Sequence, residues 1–351
     1  MRRELVNCLC IFLLLVSCSK EPAVPEPLLS VPAGFPAPVF PADNELTEAR
    51  FALGKRLFYD VVMSRDSTVS CASCHDPAHA FSDTVAYSTG AYRRPGTRNA
   101  PSLTNVAYQP YYTREGGVPT LEMQILVPVQ EHNEFAFNLL LIADRLKKDS
   151  TYIRMSREAY GRDPDYYIVT RSIACFERTL VSGNSRFDQW KRGEITLTDS
   201  EERGRQLFFT EFDPSGVKKG AECFHCHATF NFTNSEYMNN GLDAEADQSD
   251  PGRMNVTGNP WEKAMFKMPT LRNVAVTAPY MHDGRFSTLE EVIDHYNTGV
   301  KNSPTVDFLM QYNLQPGGLR LTTQDKQDLV AFLKTLTDME FLSNPAFQSP
   351  F

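Results

Sequence analysis

The chain has 351 residues, with 35 Lys and Arg against 43 Asp and Glu, and a formal charge of −8. An acidic chain without a basic patch does not bind nucleic acid through its charge. Its length points to two domains rather than one.

Residues 1–17 read as a targeting signal. Arg2 and Arg3 precede an apolar stretch from Leu9 to Val16, too short to span a bilayer. Leu15-Val16-Ser17-Cys18, followed by polar Ser19-Lys20-Glu21, resembles a bacterial lipoprotein cleavage box, in which Cys18 becomes the lipidated first residue. An ordinary cleaved signal with an incidental Cys is the alternative. The expected place is the periplasmic side of a bacterial membrane, lipid-anchored, with the outer membrane preferred. Pro22 to Pro41 is proline-rich, the composition of a stiff, extended tether. The tether region is taken as residues 18–44.

Helices are expected over Glu45–Tyr59, Asn138–Lys148, Ile168–Leu180, Glu201–Phe209, Leu289–Tyr296 and Thr323–Leu336, with poor strand signals throughout. The first helix leads into Cys71-Ala72-Ser73-Cys74-His75, and the fourth into Cys223-Phe224-His225-Cys226-His227. Each pentapeptide reads as a covalent c-type haem site. The two thiols add to porphyrin vinyl groups, and the adjacent His turns its imidazole to the iron. A zinc site would want four ligands in paired sets, and a redox Cys-x-x-Cys needs no trailing His. Of the eight cysteines, Cys8 and Cys10 fall in the signal, Cys18 at its end and four in the haem loops. Cys175 remains, in a helical run, as a buried apolar thiol. No disulfide framework is expected.

The two halves repeat. Leu53-Gly54-Lys55-Arg56-Leu57-Phe58 precedes the first haem loop as Arg203-Gly204-Arg205-Gln206-Leu207-Phe208 precedes the second. Asn105-Val106-Ala107 matches Asn273-Val274-Ala275, and Thr120-Leu121-Glu122 matches Thr288-Leu289-Glu290, without a gap between. An internal repeat decides architecture: a mainly α protein of two tandem cytochrome c-like haem domains with long loops. The first domain is residues 45–192 and the second 193–351. The second begins with Thr198-Asp199-Ser200-Glu201, a capping box.

The register places Pro128 and Tyr296 at equivalent positions, seven residues after Leu121 and Leu289. Proline cannot ligate iron; tyrosine can, as a phenolate. If this position lies over the haem, haem two has His227 and Tyr296, and haem one has His75 and an open face for peroxide. A packed aromatic near a helix end is the competing reading of Tyr296.

The stretch from Pro269-Thr270-Leu271-Arg272-Asn273-Val274 through Pro279-Tyr280-Met281-His282-Asp283-Gly284 to Thr288-Leu289-Glu290 resembles the bacterial diheme cytochrome c peroxidase superfamily, including its MauG-like branch. The resemblance covers nearly everything after the tether. It implies an axial residue fourteen positions after His282, a Met in the peroxidases and a Tyr in MauG-type members; here it is Tyr296. It further implies that Glu134 is the general acid–base at haem one, that Gln124 orients peroxide or water there, and that Pro128 lines the same pocket. Asn99, Thr277 and Pro279 match calcium ligands between the domains. A His that blocks the catalytic iron in the peroxidases is replaced by about Ala91, with His79 nearby and more structural in character. The inter-haem Trp is replaced by Arg114, which pairs with His282 in the repeat, and Tyr111 or Tyr112 are candidate substitutes.

The leading expectation is a cytochrome-c peroxidase-like oxidoreductase with two covalent haem c groups and calcium. It would reduce hydrogen peroxide with electrons from a small cytochrome or copper protein. The alternatives are a MauG-type oxidant of a protein side chain and a non-catalytic electron carrier. The sequence leaves the oligomeric state open, a homodimer included.

Overall fold

A computed structural model describes residues 28–351; the signal, Cys18 and the first part of the tether lie outside the described residues. The fold is mainly α. Its helices are α1 (Glu48–Tyr59), α2 (Leu121–Gln124), α3 (Leu126–Gln130), α4 (Leu139–Leu146), α5 (Ser150–Tyr160), α6 (Tyr166–Glu177), α7 (Arg186–Lys191), α8 (Asp199–Phe208), α9 (Met254–Thr257), α10 (Leu289–Asp294), α11 (Thr323–Lys334) and α12 (Met339–Ser343). Among the described residues, strand is confined to β1 (Tyr237–Met238) and β2 (Phe266–Lys267), paired antiparallel.

Local chemistry sets the helix starts. Thr198 caps α8 and Glu201 reaches back to the Thr198 N–H, the expected capping box. Thr288 with Glu291 and Thr322 with Asp325 start α10 and α11 the same way. Helix α5 was not expected, because its sequence is mostly polar. It buries only Tyr152, Ser156 and Ala159, a narrow stripe at helical spacing.

The repeat is visible in space. Helix α1 crosses α6, and α8 crosses α11, each at a glycine. A Cβ on Gly54 would lie 1.8 Å from the Ser172 carbonyl oxygen, and one on Gly204 1.8 Å from that of Asp328. Only glycine lets the backbones meet so closely. Asn105 and Asn273 both take left-handed φ, 58° and 61°. Their N–H groups donate to Leu180 O at 2.9 Å and Leu336 O at 3.0 Å. The bridges Tyr112–Val118 and Tyr280–Phe286 keep the same register.

Apolar burial forms two clusters. One gathers Phe51, Phe58, Phe81, Ile173 and Phe176; the other gathers Phe187, Phe208, Phe232, Leu329 and Phe332. The chain end crosses back, since Phe341 and Phe347 pack into the first cluster. Arg272 is buried with Asp188, at 2.8 and 3.0 Å, where losing either partner would strand a charge.

The tether expectation needs a correction for its described part. Phe35 packs edge-on against Phe230 and Tyr108, with centroids 4.6 and 6.1 Å away. Arg272 lies over the Phe35 ring at 4.6 Å, and Asn44 is fully buried. Aromatic burial outweighs the stiffness of the prolines, so this stretch is a strap on the body rather than a spacer.

Candidate functional site

Both Cys-x-x-Cys-His loops are single tight turns. The His75 N–H donates to Cys71 O at 3.0 Å and the His227 N–H to Cys223 O at 2.9 Å, which turns each His to the side of its thiols. The His75 Nδ1 lies 2.8 Å from Phe81 O, and the His227 Nδ1 3.1 Å from Phe232 O. A ring nitrogen facing a carbonyl must carry the proton, so Nε2 keeps its lone pair for a metal. Burial holds both rings neutral, pushing His227 down to about 4 and His75 below its usual range. All four thiols are free. Among the described residues, the two cysteine pairs do not converge into one four-ligand metal set. The donor chemistry therefore fits two haem c groups.

Around the second loop lies a cavity of about 340 Å³, lined by Cys223, His227, Met238, Asn240, Met281 and Tyr296 among others. Tyr296 sits on a π-helical turn, His295–Gly299, that continues α10; such turns recur at functional sites. Its hydroxyl accepts from the Asn240 Nδ2 at 3.2 Å. Burial raises the phenol to about 12; the Asn240 bond opposes this, while the nearby Cys226 and Cys223 add to it. The expected ligand thus shares the cavity with its loop. Asn240, which favours the phenolate form, was not found from the sequence.

Gln124 ends α2 and lines this second-loop cavity, whose lining does not include Cys71, Cys74 or His75. Pro128 is inside α3 and Glu134 follows that helix. Burial, with help from the Glu131 charge, pushes the Glu134 carboxyl up to about 7. Its charge is felt at both Cys71 and Cys74, which places it at the first haem site. Ala91 is fully buried, and its N–H donates to Glu134 O at 2.7 Å. A Cβ on Gly90 would fall 2.1 Å from Asn133 O, so this loop is pinned against the acid's backbone. His79 pairs with Asp76 at 3.0 Å. Glu177 was missed by sequence reasoning. It is 5 % exposed, its Oε2 has no partner, and burial raises its carboxyl to about 8. Its charge also reaches Cys71.

The di-haem cytochrome c peroxidase family model matches residues 48–196. The methylamine utilization protein MauG of Methylorubrum extorquens is 34% identical over 299 residues, covering 84% of this chain and 80% of that protein. This chain belongs to the di-haem cytochrome c peroxidase family. The cytochrome c551 peroxidase of Nitrosomonas europaea is 30% identical, covering 93% of this chain and 88% of that protein. A solved MauG-like protein associated with microbial copper homeostasis is 34% identical with a TM-score of 0.81, covering 91% of this chain and 98% of that one. Family membership makes the protein an oxidoreductase and implies two haem groups.

The remaining expected residues lie at the seam between the two units. Thr277 and Pro279 line the shared cavity there. Asn99 is buried at the seam, and its N–H donates to His282 O at 2.8 Å. His282 stacks on Phe266 at 4.1 Å. Of the two candidate relay tyrosines, Tyr112 is buried on the cavity and Tyr111 is exposed.

Proposed function

We propose that this protein reduces hydrogen peroxide to water at haem one, with electrons delivered through haem two by a small cytochrome or copper protein. The supporting observation is Glu134, a shielded carboxyl pushed up to about 7 whose charge is felt at the thiols of the first haem loop. A bound haem supplies the electrons that break the O–O bond. The overall reaction takes up two electrons and two protons and gives two waters. In its ionised form Glu134 would accept a proton from one peroxide oxygen, beside a haem that His75 would hold. It would return that proton to the other oxygen, which then leaves as water. The Gln124 amide orients the peroxide by hydrogen bonding. Tyr296, His227 and Asn240 hold the second site.

A MauG-type oxidation of a protein side chain is the second reading, favoured by Tyr296 standing where the peroxidases carry Met. An anionic ligand stabilises oxidised iron electrostatically. Steady-state peroxide turnover with reduced cytochromes and cupredoxins separates the readings. Rapid donor oxidation supports the peroxidase. Peroxide consumption coupled only to modification of a co-purified protein replaces it with the second reading.

The proposed location is the periplasmic face of a bacterial membrane, through lipid on Cys18. Cys18→Ser should move the protein from the membrane fraction to the soluble one; retention would remove the anchor.

A further inference from the structure

The family resemblance gives Asn99, Thr277 and Pro279 as ligands of a calcium ion between the haem units. Asn99, the side-chain member of that set, does not fit a dication. We propose that the guanidinium of Arg114 is a built-in cation that occupies this role, so the seam holds together without calcium.

Each polar atom of Asn99 is already committed. Its Oδ1 accepts from the Arg114 Nη2 and its carbonyl oxygen from the Arg114 Nε, both at 2.9 Å. Its Nδ2 donates to Val85 O at 3.1 Å, and its N–H donates to His282 O at 2.8 Å. The planar guanidinium spans two oxygens of one residue, a fork that an ammonium cannot reproduce. Arg114 is also held from the other side, because its own carbonyl accepts from the Lys267 N–H at 2.7 Å. The arginine grips the first unit while the second unit holds the arginine.

The surrounding charge points the same way. Arg98 and Arg114 repel each other, and Arg114 in turn disfavours the charge on Lys267. The nearby acids are engaged elsewhere. Asp250 and Glu115 pair with Arg98 at 2.7 and 2.5 Å, and Asp283 pairs with Arg285 at 2.6 Å. Calcium takes six to eight oxygen ligands at about 2.3–2.6 Å, and among the described residues no free carboxylate is on hand here to offset the arginine charge. An ion at that distance from the Asn99 Oδ1 would lie at most roughly 5.5 Å from the guanidinium nitrogen, with repulsion little screened in a buried site.

The test uses the holoprotein and does not depend on which oxidation it catalyses. Wild type, Arg114→Lys and Arg114→Gln are dialysed against calcium, freed of excess ion and assayed for bound metal. Each is then melted, and its haem spectrum recorded, with calcium or with EGTA. Wild type should carry no stoichiometric calcium and show the same melt and spectrum in both conditions. Arg114→Lys keeps the charge and should also take up no calcium, but it loses the fork and should melt below wild type equally in both conditions. Arg114→Gln should take up one calcium per chain and melt lower in EGTA than in calcium. One calcium per wild-type chain, or a wild-type melt or spectrum that EGTA changes and calcium restores, overturns the proposal even if Arg114→Gln does not fold. So does an Arg114→Gln protein that binds no calcium and melts as wild type does.

Discussion

Glu134→Gln should slow peroxide cleavage and stabilise the protein at the same time. Burial and Glu131 raise this carboxyl from 4.5 to about 7. Below 4.5 the group is protonated whether the chain is folded or not, so it contributes nothing to the pH dependence of stability. As pH rises toward 7 the unfolded chain ionises it and the folded protein resists. Stability is lost across that window and stays lost above it, by about 3 kcal/mol at 1.36 kcal/mol per unit. Gln carries no proton to lose, so the variant should be more stable than wild type by up to that amount at pH 8 and equal to it at pH 4. Denaturant titrations at the two pH values measure this. The kinetic effect has the opposite sign. The wild-type rate of reaction with peroxide should climb about tenfold per pH unit below 7 as the carboxylate forms, then level off. Glu134→Gln should be roughly 10²–10⁴-fold slower and lack that step. A variant that reacts at the wild-type rate, or a slow variant that keeps the same pH step, would assign the proton transfer to another group.

Tyr296→Phe should abolish the low-spin signature of haem two, seen by electron paramagnetic resonance, and leave haem one unaltered; an unchanged spectrum would make Tyr296 a packing residue. Gly204→Ala drives a methyl to 1.8 Å from Asp328 O and should cost at least about 1–3 kcal/mol in denaturant titration. A neutral outcome there would mean that α8 and α11 can slide apart freely. Glu177→Gln removes a buried charge beside the first haem loop. A spectroelectrochemical titration should find the haem-one potential raised above pH 8, where the native carboxyl is ionised, and unchanged below pH 7; equal potentials throughout would place Glu177 too far away to matter.

What the sequence displayed was whatever chemistry constrains locally. The haem loops are contiguous motifs, the capping box at Thr198 is a four-residue signal, and the repeat from Asn105 to Leu121 fixes the register that reaches Tyr296. Contacts between distant segments could not be read. Asn240 lies in a loop beyond β1 with no periodicity to mark it, and only the Tyr296 hydroxyl above it reveals its role. Glu177 reads as one polar residue in an apolar helix. Extending the repeat in both directions, with Gly54 on Gly204 and Phe176 on Phe332, sets it against Leu333, which lines the second haem cavity. That mismatch was the available signal. Phe35 was hidden by its proline-rich neighbours, whose composition describes the unbound chain and not the aromatic pocket between Tyr108 and Phe230. Arg114 presented itself as the absence of a Trp, and its fork onto Asn99 depends on a side-chain geometry that spacing does not encode.

In the resting protein, haem one should keep an open, acid-equipped face. Rapid mixing of fully ferric holoprotein with hydrogen peroxide tests it most directly. An immediate Soret change is expected, first order in peroxide and without prior reduction. No change until one haem has been reduced would contradict it, and would mean that a group other than the residue at position 91 closes the site.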